Sequence, residues 1–265
     1  MRRWLAWICV LVLVCLSAGA VGEEPIESGE IPKAQPGITT ELPPVGERYC
    51  DTVKFGIRNG PRDQKRVAVT VDDCYEQDKV QAIFDLCNEY NVRITFFPLG
   101  DQLFPKDREM WRAIAASDCE IGSHTMHHTK MTAMSQGGIN IHLYRFQEVL
   151  DETLGYHYGV VSMRPPFGAI RDSEGKVTNE VLRACRGFGY QHAVLWDVSQ
   201  TDFEKAKKAV KNGSILLYHA RSKDLKCLQQ LIPWLLEEGY ELVTVRELLE
   251  FDYIETSAEP YVHKK

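Results

Sequence analysis

Basic residues are in the minority in this chain: 31 Lys and Arg stand against 37 Asp and Glu, a formal net charge of −6. Binding nucleic acid needs clustered cations that displace phosphate counterions, so this balance argues against such a partner. No apolar run reaches the roughly 20 residues of a membrane-spanning helix; the longest covers only residues 4–16. Closely spaced cysteine pairs are also missing, which excludes a zinc ribbon or a small disulfide-stapled scaffold. With 44% hydrophobic and 26% charged residues in 265, neither a collagen-like nor a disordered bias is present. The chain is long enough for one large domain or two small ones.

The apolar run reads as an export address. Arg2 and Arg3 precede it, and Ala18-Gly19-Ala20 offers small residues for cleavage after residue 20. The expected location is therefore secreted, or anchored on the outer face of the cytoplasmic membrane if the leader stays uncleaved. Cys9 and Cys15 fall in the leader, leaving Cys50, Cys74, Cys87, Cys119, Cys185 and Cys227. Their even number permits disulfides in an exported protein, and buried free thiols fit equally well. Residues 21–46 carry Pro25, Pro32, Pro36, Pro43 and Pro44 among small and polar residues, the composition of a disordered linker. A folded domain is expected over 47–256, with a short tail at 257–265.

From residue 66 onward, β-rich runs alternate with helical patterns. Strands are expected at 67–71, 92–97, 120–122, 160–163, 192–195, 214–218 and 241–243. Helices are expected at 78–90, 107–116, 141–153, 177–186, 203–211, 224–238 and 245–251. Gly155, Gly187, Gly213 and Gly239 stand where C-terminal helix caps belong, ahead of the next strand. Repeated β-then-α order implies an α/β fold with a parallel sheet and crossover helices, of about seven units. An irregular (β/α) barrel is preferred over an open doubly wound sheet. In either architecture functional residues gather at the C-terminal ends of strands.

Five strand ends carry candidates. Asp72 and Asp73 follow the apolar run 67–71, where one alternative use is capping the next helix. His124, His127 and His128 lie just past 120–122; a spacing of three or four can bring two imidazoles to one face of a helical turn. An Asp and two His from separate strand ends would hold a metal with positions left open for water and substrate. His124 with His128 is the preferred pair, with His127 as the alternative. Arg164 precedes the rigid Pro165-Pro166-Phe167-Gly168, Trp196-Asp197 follows 192–195 with Asp202 a little further on, and His219 ends 214–218. His142, His157, His192 and His263 are read as surface or packing residues.

These five segments, in this order, resemble the polysaccharide deacetylase family, carbohydrate esterases with a NodB homology domain, over roughly residues 65–250. Thr70-Val71-Asp72-Asp73-Cys74 is similar to the family's Thr-Phe-Asp-Asp-Gly, and His124-Thr125-Met126-His127-His128 to its His-Ser/Thr-x-x-His. The resemblance implies Asp72 as general base and Asp73, His124 and His128 as ligands of a divalent metal, zinc first, with cobalt, nickel or manganese as alternatives. By the same resemblance Arg164 orients the catalytic Asp, Phe167 lines the substrate groove together with Trp196 and Tyr218, and His219 is the general acid. The fourth motif, usually Asp-x-x-Asp-Trp, is altered to Ser199-Gln200-Thr201-Asp202-Phe203, so Asp202 or Asp197 is expected to tune the acid. Cys74 replaces a glycine beside the metal, where a thiol would crowd the site. The implied activity is removal of N-acetyl groups from amino sugars of an acetylated glycan, peptidoglycan or a chitin-like oligosaccharide. The competing readings are a carbohydrate-binding homologue with weak or no turnover, and a metal-dependent hydrolase of another acyl bond, such as an O-acetyl ester.

Overall fold

The structure, a computed structural model, describes residues 54–250. The expected leader, linker and tail, together with Cys50 and His263, lie outside the described residues. The chain order is β1 (Lys54–Ile57), β2 (Arg66–Asp73), α1 (Gln77–Tyr90), β3 (Thr95–Pro98), α2 (Arg108–Ala116), β4 (Glu120–Ile121), α3 (Gln136–Leu154) and β5 (Ser162–Met163). It continues with α4 (Asn179–Gly187), β6 (His192–Val194), α5 (Phe203–Ala209), β7 (Ile215–His219), α6 (Ser222–Glu237), β8 (Glu241–Leu242) and α7 (Val245–Leu248).

All strand ladders are parallel. One sheet runs β4-β3-β2-β7 with β8 beside β2, and the other runs β1-β6-β5. Two single bridges join them, Ser123 to Met163 between β4 and β5, and Val198 to Leu216 between β6 and β7. The strands thus close into a ring that is laddered for most of its circumference and only stitched at two seams: the irregular (β/α) barrel expected. At the second seam β1 lies on β6, with Asn59 bridged to Ser214 beside it. The sequence pattern does not announce β1, because Gly56 at φ 74° breaks the short run and the register slips between Phe55 and Ile57.

Alternation along β2 organises the core. Val67, Val69 and Val71 join the large cluster formed with buried helix residues such as Val80, Ile83 and Leu231. Ala68, one residue out of phase, packs in a second cluster with Phe97, Val194, Ile215 and Val243 inside the ring. Val245 and Leu248 of α7 join that cluster and plug the end of the barrel where the strands begin. The same end holds the buried Glu120, which accepts from Thr95 Oγ1 (2.9 Å), Ser162 Oγ (2.7 Å) and the Arg246 N–H (3.0 Å), tying three strands to the plug. The opposite end is left free for chemistry.

The glycine caps are partly revised. Gly155 is the left-handed C-cap of α3 (φ 85°) and Gly239 follows α6 at φ 78°. Gly187, however, is the last helical residue of α4, and the left-handed residue there is Gly189. Gly213 caps no helix, since α5 ends at Ala209; it forms the turn into β7 at φ 72°. A Cβ on Gly213 would stand 2.2 Å from the Pro61 carbonyl oxygen. Gly213→Ala is expected to cost at least about 2 kcal/mol, a fall in Tm of roughly 4–8 °C by thermal denaturation.

The described cysteines, Cys74, Cys87, Cys119, Cys185 and Cys227, are all buried free thiols. Of the two expectations for them, the structure takes the second.

Candidate active site

Strand alternation sends Thr70 and Asp72 toward the barrel axis, and Asp72 pairs across the ladder with His219 of β7. Asp73 should then face outward. It does not, because Asp73 (φ 63°) and Cys74 (φ 61°) are both left-handed, and the resulting bend brings two consecutive carboxylates into one cavity. Asp tolerates this conformation better than most residues. Helix α1 begins later with Glu76 as its N-cap, so neither carboxylate is spent on capping. The Cys74 thiol does not crowd the site; it is fully buried in the hydrophobic core. Burial there, reinforced by the Asp72 and Asp73 charges, pushes the thiol well above its usual range and leaves it unreactive.

The histidine segment after β4 is an irregular loop rather than a helical turn, bent at Thr125 (φ 71°). His124 Nδ1 lies 2.7 Å from the Arg164 carbonyl. A carbonyl can only accept, so Nδ1 carries the hydrogen and Nε2, 3.3 Å from Asp73 Oδ1, keeps its lone pair for a shared cation. His128 Nε2 reaches the same carboxylate, with its ring against Phe167 at 4.3 Å. His127 turns away to Asp101 (2.9 Å) and packs edge-on against His142.

Arg164 is completely buried. It donates to Asp72 Oδ1 (2.7 Å), Thr70 Oγ1 (2.6 Å) and the Leu195 carbonyl (2.9 Å), and its guanidinium lies over the rings of Phe97 and Trp196. Phe167, at φ 62° and 64% exposed, projects at the rim.

Two expectations on the β6 and β7 side are corrected. Tyr218 does not line the groove: next to the inward His219 it must face outward, and its buried hydroxyl contacts Cys227 of α6. Neither Asp197 nor Asp202 tunes His219. Asp197 is held by Arg62 (2.7 Å), Ser214 Oγ and the Ile215 N–H, while Asp202 caps α5 by accepting from the Lys205 N–H. The partner of His219 is Asp224, five residues on in the first turn of α6. It accepts from the His219 N–H at 3.0 Å and stands 3.9 Å from the ring Nδ1. Nothing in the sequence singled out Asp224 beyond its place at an expected helix start. The Asp224 carboxylate raises the His219 pKa above its ordinary 6.5; burial opposes this, and Asp72 and Asp73 add to the rise.

The geometry suits a metal ion. His124 Nε2 and His128 Nε2 stand 3.3 and 3.5 Å from Asp73 Oδ1, and the three ligand atoms fall within 4.8 Å of one another. Ligands about 2.1 Å from a shared tetrahedral ion stand roughly 3.4 Å apart. Asp73 Oδ1 is buried without a hydrogen-bond partner, the condition of an oxygen awaiting a cation. Burial pushes the Asp73 carboxyl up, but His124, His219 and His128 outweigh it and hold the pKa below the ordinary value. Burial lowers the His128 pKa, keeping that imidazole neutral and able to ligate. The Arg221 guanidinium, 3.5 Å from Asp73 Oδ2, is the nearest competing cation.

Comparison with known proteins agrees with this arrangement. A peptidoglycan-N-acetylglucosamine deacetylase of Bacillus cereus is 28% identical over 211 residues, covering 73% of this chain and 92% of its own. The solved structure of a family 4 carbohydrate esterase from Bacillus anthracis superposes with a TM-score of 0.60 at 26% identity, covering 73% of this chain and 86% of that one. BA3943, a CE4 family pseudoenzyme of the same organism, shares the fold with a TM-score of 0.63 at 21% identity, covering 73% of this chain and 68% of its own. The family model described as polysaccharide deacetylase matches residues 59–193, half of the length, and the chain belongs to that family.

Proposed function

We propose that this protein is a metal-dependent hydrolase that removes N-acetyl groups from amino-sugar residues of a glycan, with zinc as the metal and peptidoglycan as the foremost substrate. The observation that carries the reading is the convergence of Asp73 Oδ1, His124 Nε2 and His128 Nε2 beside an Asp72 carboxylate clamped by Arg164. The relatives named above supply the substrate class. Export through the leader would place the protein at the cell envelope, where that substrate lies.

An acetamide is a poor electrophile and neutral water a poor nucleophile. Asp73, His124 and His128 would hold a divalent metal, which when bound would supply polarisation of the carbonyl and lower the pKa of a water from about 16 toward roughly 7. Asp72, fixed by a charge-assisted hydrogen bond from Arg164 in a nearly dry site, takes the proton of the attacking water. His219, across the ladder from Asp72, gives a proton to the departing sugar nitrogen; each such transfer contributes about 10²–10⁴-fold. The Phe167 N–H would assist the developing oxyanion, and the Phe167 ring and Trp196 would wall the sugar.

A general acid must be protonated, so activity falls as pH rises through the His219 pKa. That pKa is raised, and its principal cause is Asp224. Asp224→Asn is therefore expected to move the alkaline limb of the kcat profile to lower pH, with little change at the acid limb. The proposal as a whole is tested by acetate release from N-acetylglucosamine oligomers and peptidoglycan, with zinc and after stringent chelation. Zinc-dependent release is the expected result. Undiminished release from chelated protein refutes the mechanism, and glycan binding without release under any divalent metal refutes the activity.

A further inference from the structure

Thiols are scattered through the buried core of this protein, and in one place two of them meet. Cys87 lies one turn from the C-terminal end of α1, where its carbonyl accepts from the Val92 N–H at 2.9 Å. Cys119 stands in the turn between α2 and β4, directly ahead of Glu120, whose N–H donates to the Ile94 carbonyl at 2.9 Å. Both segments are thus tied to residues 92–94, the approach to β3, and their thiols are hydrogen-bonded to each other. The metal site makes no use of this pair, which lies where β4 begins, at the end of the barrel that α7 closes.

Burial alone makes a thiol inert, as at Cys74 and Cys185. Here the contact divides the two. The Cys87 thiol donates its hydrogen to the Cys119 sulfur, which raises the Cys87 pKa, and burial raises it further. The same bond lowers the Cys119 pKa below its ordinary value; burial opposes this, and a hydrogen bond from the Ile94 backbone adds to it. Cys119 is also the more accessible, 7% exposed against 1%, and sits beside the exposed Asp118. One sulfur is therefore placed to attack, and the other is kept protonated within reach of it, the arrangement of an attacking and a resolving cysteine.

We propose that Cys87 and Cys119 form a redox site that takes a disulfide compound as its oxidant and closes into an intramolecular disulfide, stapling α1 to the start of β4. The Cys119 thiolate attacks one sulfur of the oxidant RS–SR. A bond forms between Cys119 Sγ and that sulfur, the original S–S bond breaks, and the released RS⁻ takes up the proton lost from Cys119. Cys87 Sγ then attacks Cys119 Sγ, and its proton goes to the second RS⁻ as that group leaves. Two protein thiols are oxidised by two electrons while one disulfide is reduced to two thiols. Export through the leader, as proposed above, would bring the pair into surroundings where disulfides persist.

The test incubates the folded full chain with oxidised glutathione or with dithiothreitol, alkylates the remaining thiols in denaturant, and maps the cysteines by mass spectrometry of an unreduced digest. Melting curves are recorded on the same samples. The expected result is a linked peptide joining Cys87 to Cys119, with Cys74, Cys185 and Cys227 alkylated. The Tm should stand at least about 5 °C above that of the reduced protein, because the bond closes a loop of roughly 30 residues in the unfolded chain. Cys87→Ala and Cys119→Ala should each abolish both the linkage and the Tm difference, and Cys87→Ala, lacking the resolving thiol, should retain glutathione on Cys119. The wild-type peptide map stands as a readout by itself should either variant fold poorly. No linked peptide after oxidation, a linkage through another pair of cysteines in its place, or a Tm that does not rise with the linkage overturns the proposal.

Discussion

Asp73→Asn abolishes the metal-dependent rise in thermal stability and reduces activity to the level of the chelated protein: this is the larger of the two main expected results. Asparagine is nearly isosteric and accepts the left-handed backbone that Asp73 adopts at φ 63°. The substitution therefore leaves the bend that brings both carboxylates inward while removing the anionic oxygen shared by His124 and His128. Metal affinity should fall by at least about 10²-fold, since even loss of an outer-shell partner commonly costs 10–100-fold. For wild type, metal at a hundred times its Kd stabilises the fold by about 2.7 kcal/mol, and in the variant this increment disappears. Calorimetric titration with zinc and melting curves with and without zinc read both quantities without reference to turnover. Metal binding by the wild type should also weaken in acid, because ligation requires neutral rings. Wild-type affinity for zinc in Asp73→Asn would remove this residue from the metal centre.

His128→Ala gives the complementary case. Its ring is partly exposed and touches Phe167, so the fold loses little. His124→Ala is less clean, because it also deletes the bond from Nδ1 to the Arg164 carbonyl and leaves that buried acceptor unsatisfied, at a cost of about 1–3 kcal/mol.

The strand-end rule made most of this site legible before the fold was known, since Asp72, His124, Arg164 and His219 each follow an apolar run that is a strand. What strand periodicity could not reveal was the effect of single backbone reversals. Asp73 faces the cavity because φ changes sign at two residues, and no pattern of side chains encodes that. Tyr218, which the resemblance implies in the groove, fails for the converse reason: the strand period of two turns it to the face opposite its inward neighbour His219. Asp224 has no signature in the sequence because its link to His219 crosses the turn into α6, and Asp197 and Asp202 are already engaged by Arg62 and by the cap of α5. The short β1 was hidden by its central glycine, and the buried Glu120 hub by looking like any charged residue at a strand start.

Arg164→Met is expected to destabilise the protein by about 3–5 kcal/mol, the usual cost of stranding one member of a buried ion pair. For a domain of this size that is a fall in Tm of roughly 6–20 °C. The pair is among the driest in the protein: Arg164 is completely buried and Asp72 is 3% exposed, so removal of the guanidinium leaves a carboxylate with neither solvent nor counter-charge. Thr70 and Leu195 lose a donor at the same time. Asp72→Asn separates stability from chemistry. The amide still accepts from Arg164 through its oxygen but takes no proton from water, so activity should drop by about 10²–10⁴-fold. Its own stability cost should be smaller than that of Arg164→Met, because a surplus guanidinium retains Thr70 and Leu195 as acceptors and the faces of Phe97 and Trp196. The double variant Asp72→Asn/Arg164→Met should recover part of the Arg164→Met loss, since the stranded charge is then gone. A double-mutant cycle by denaturant unfolding measures that coupling. Strict additivity of the two single costs would mean that the pair exerts no mutual electrostatic hold, and Arg164 would then act only as packing beneath the general base.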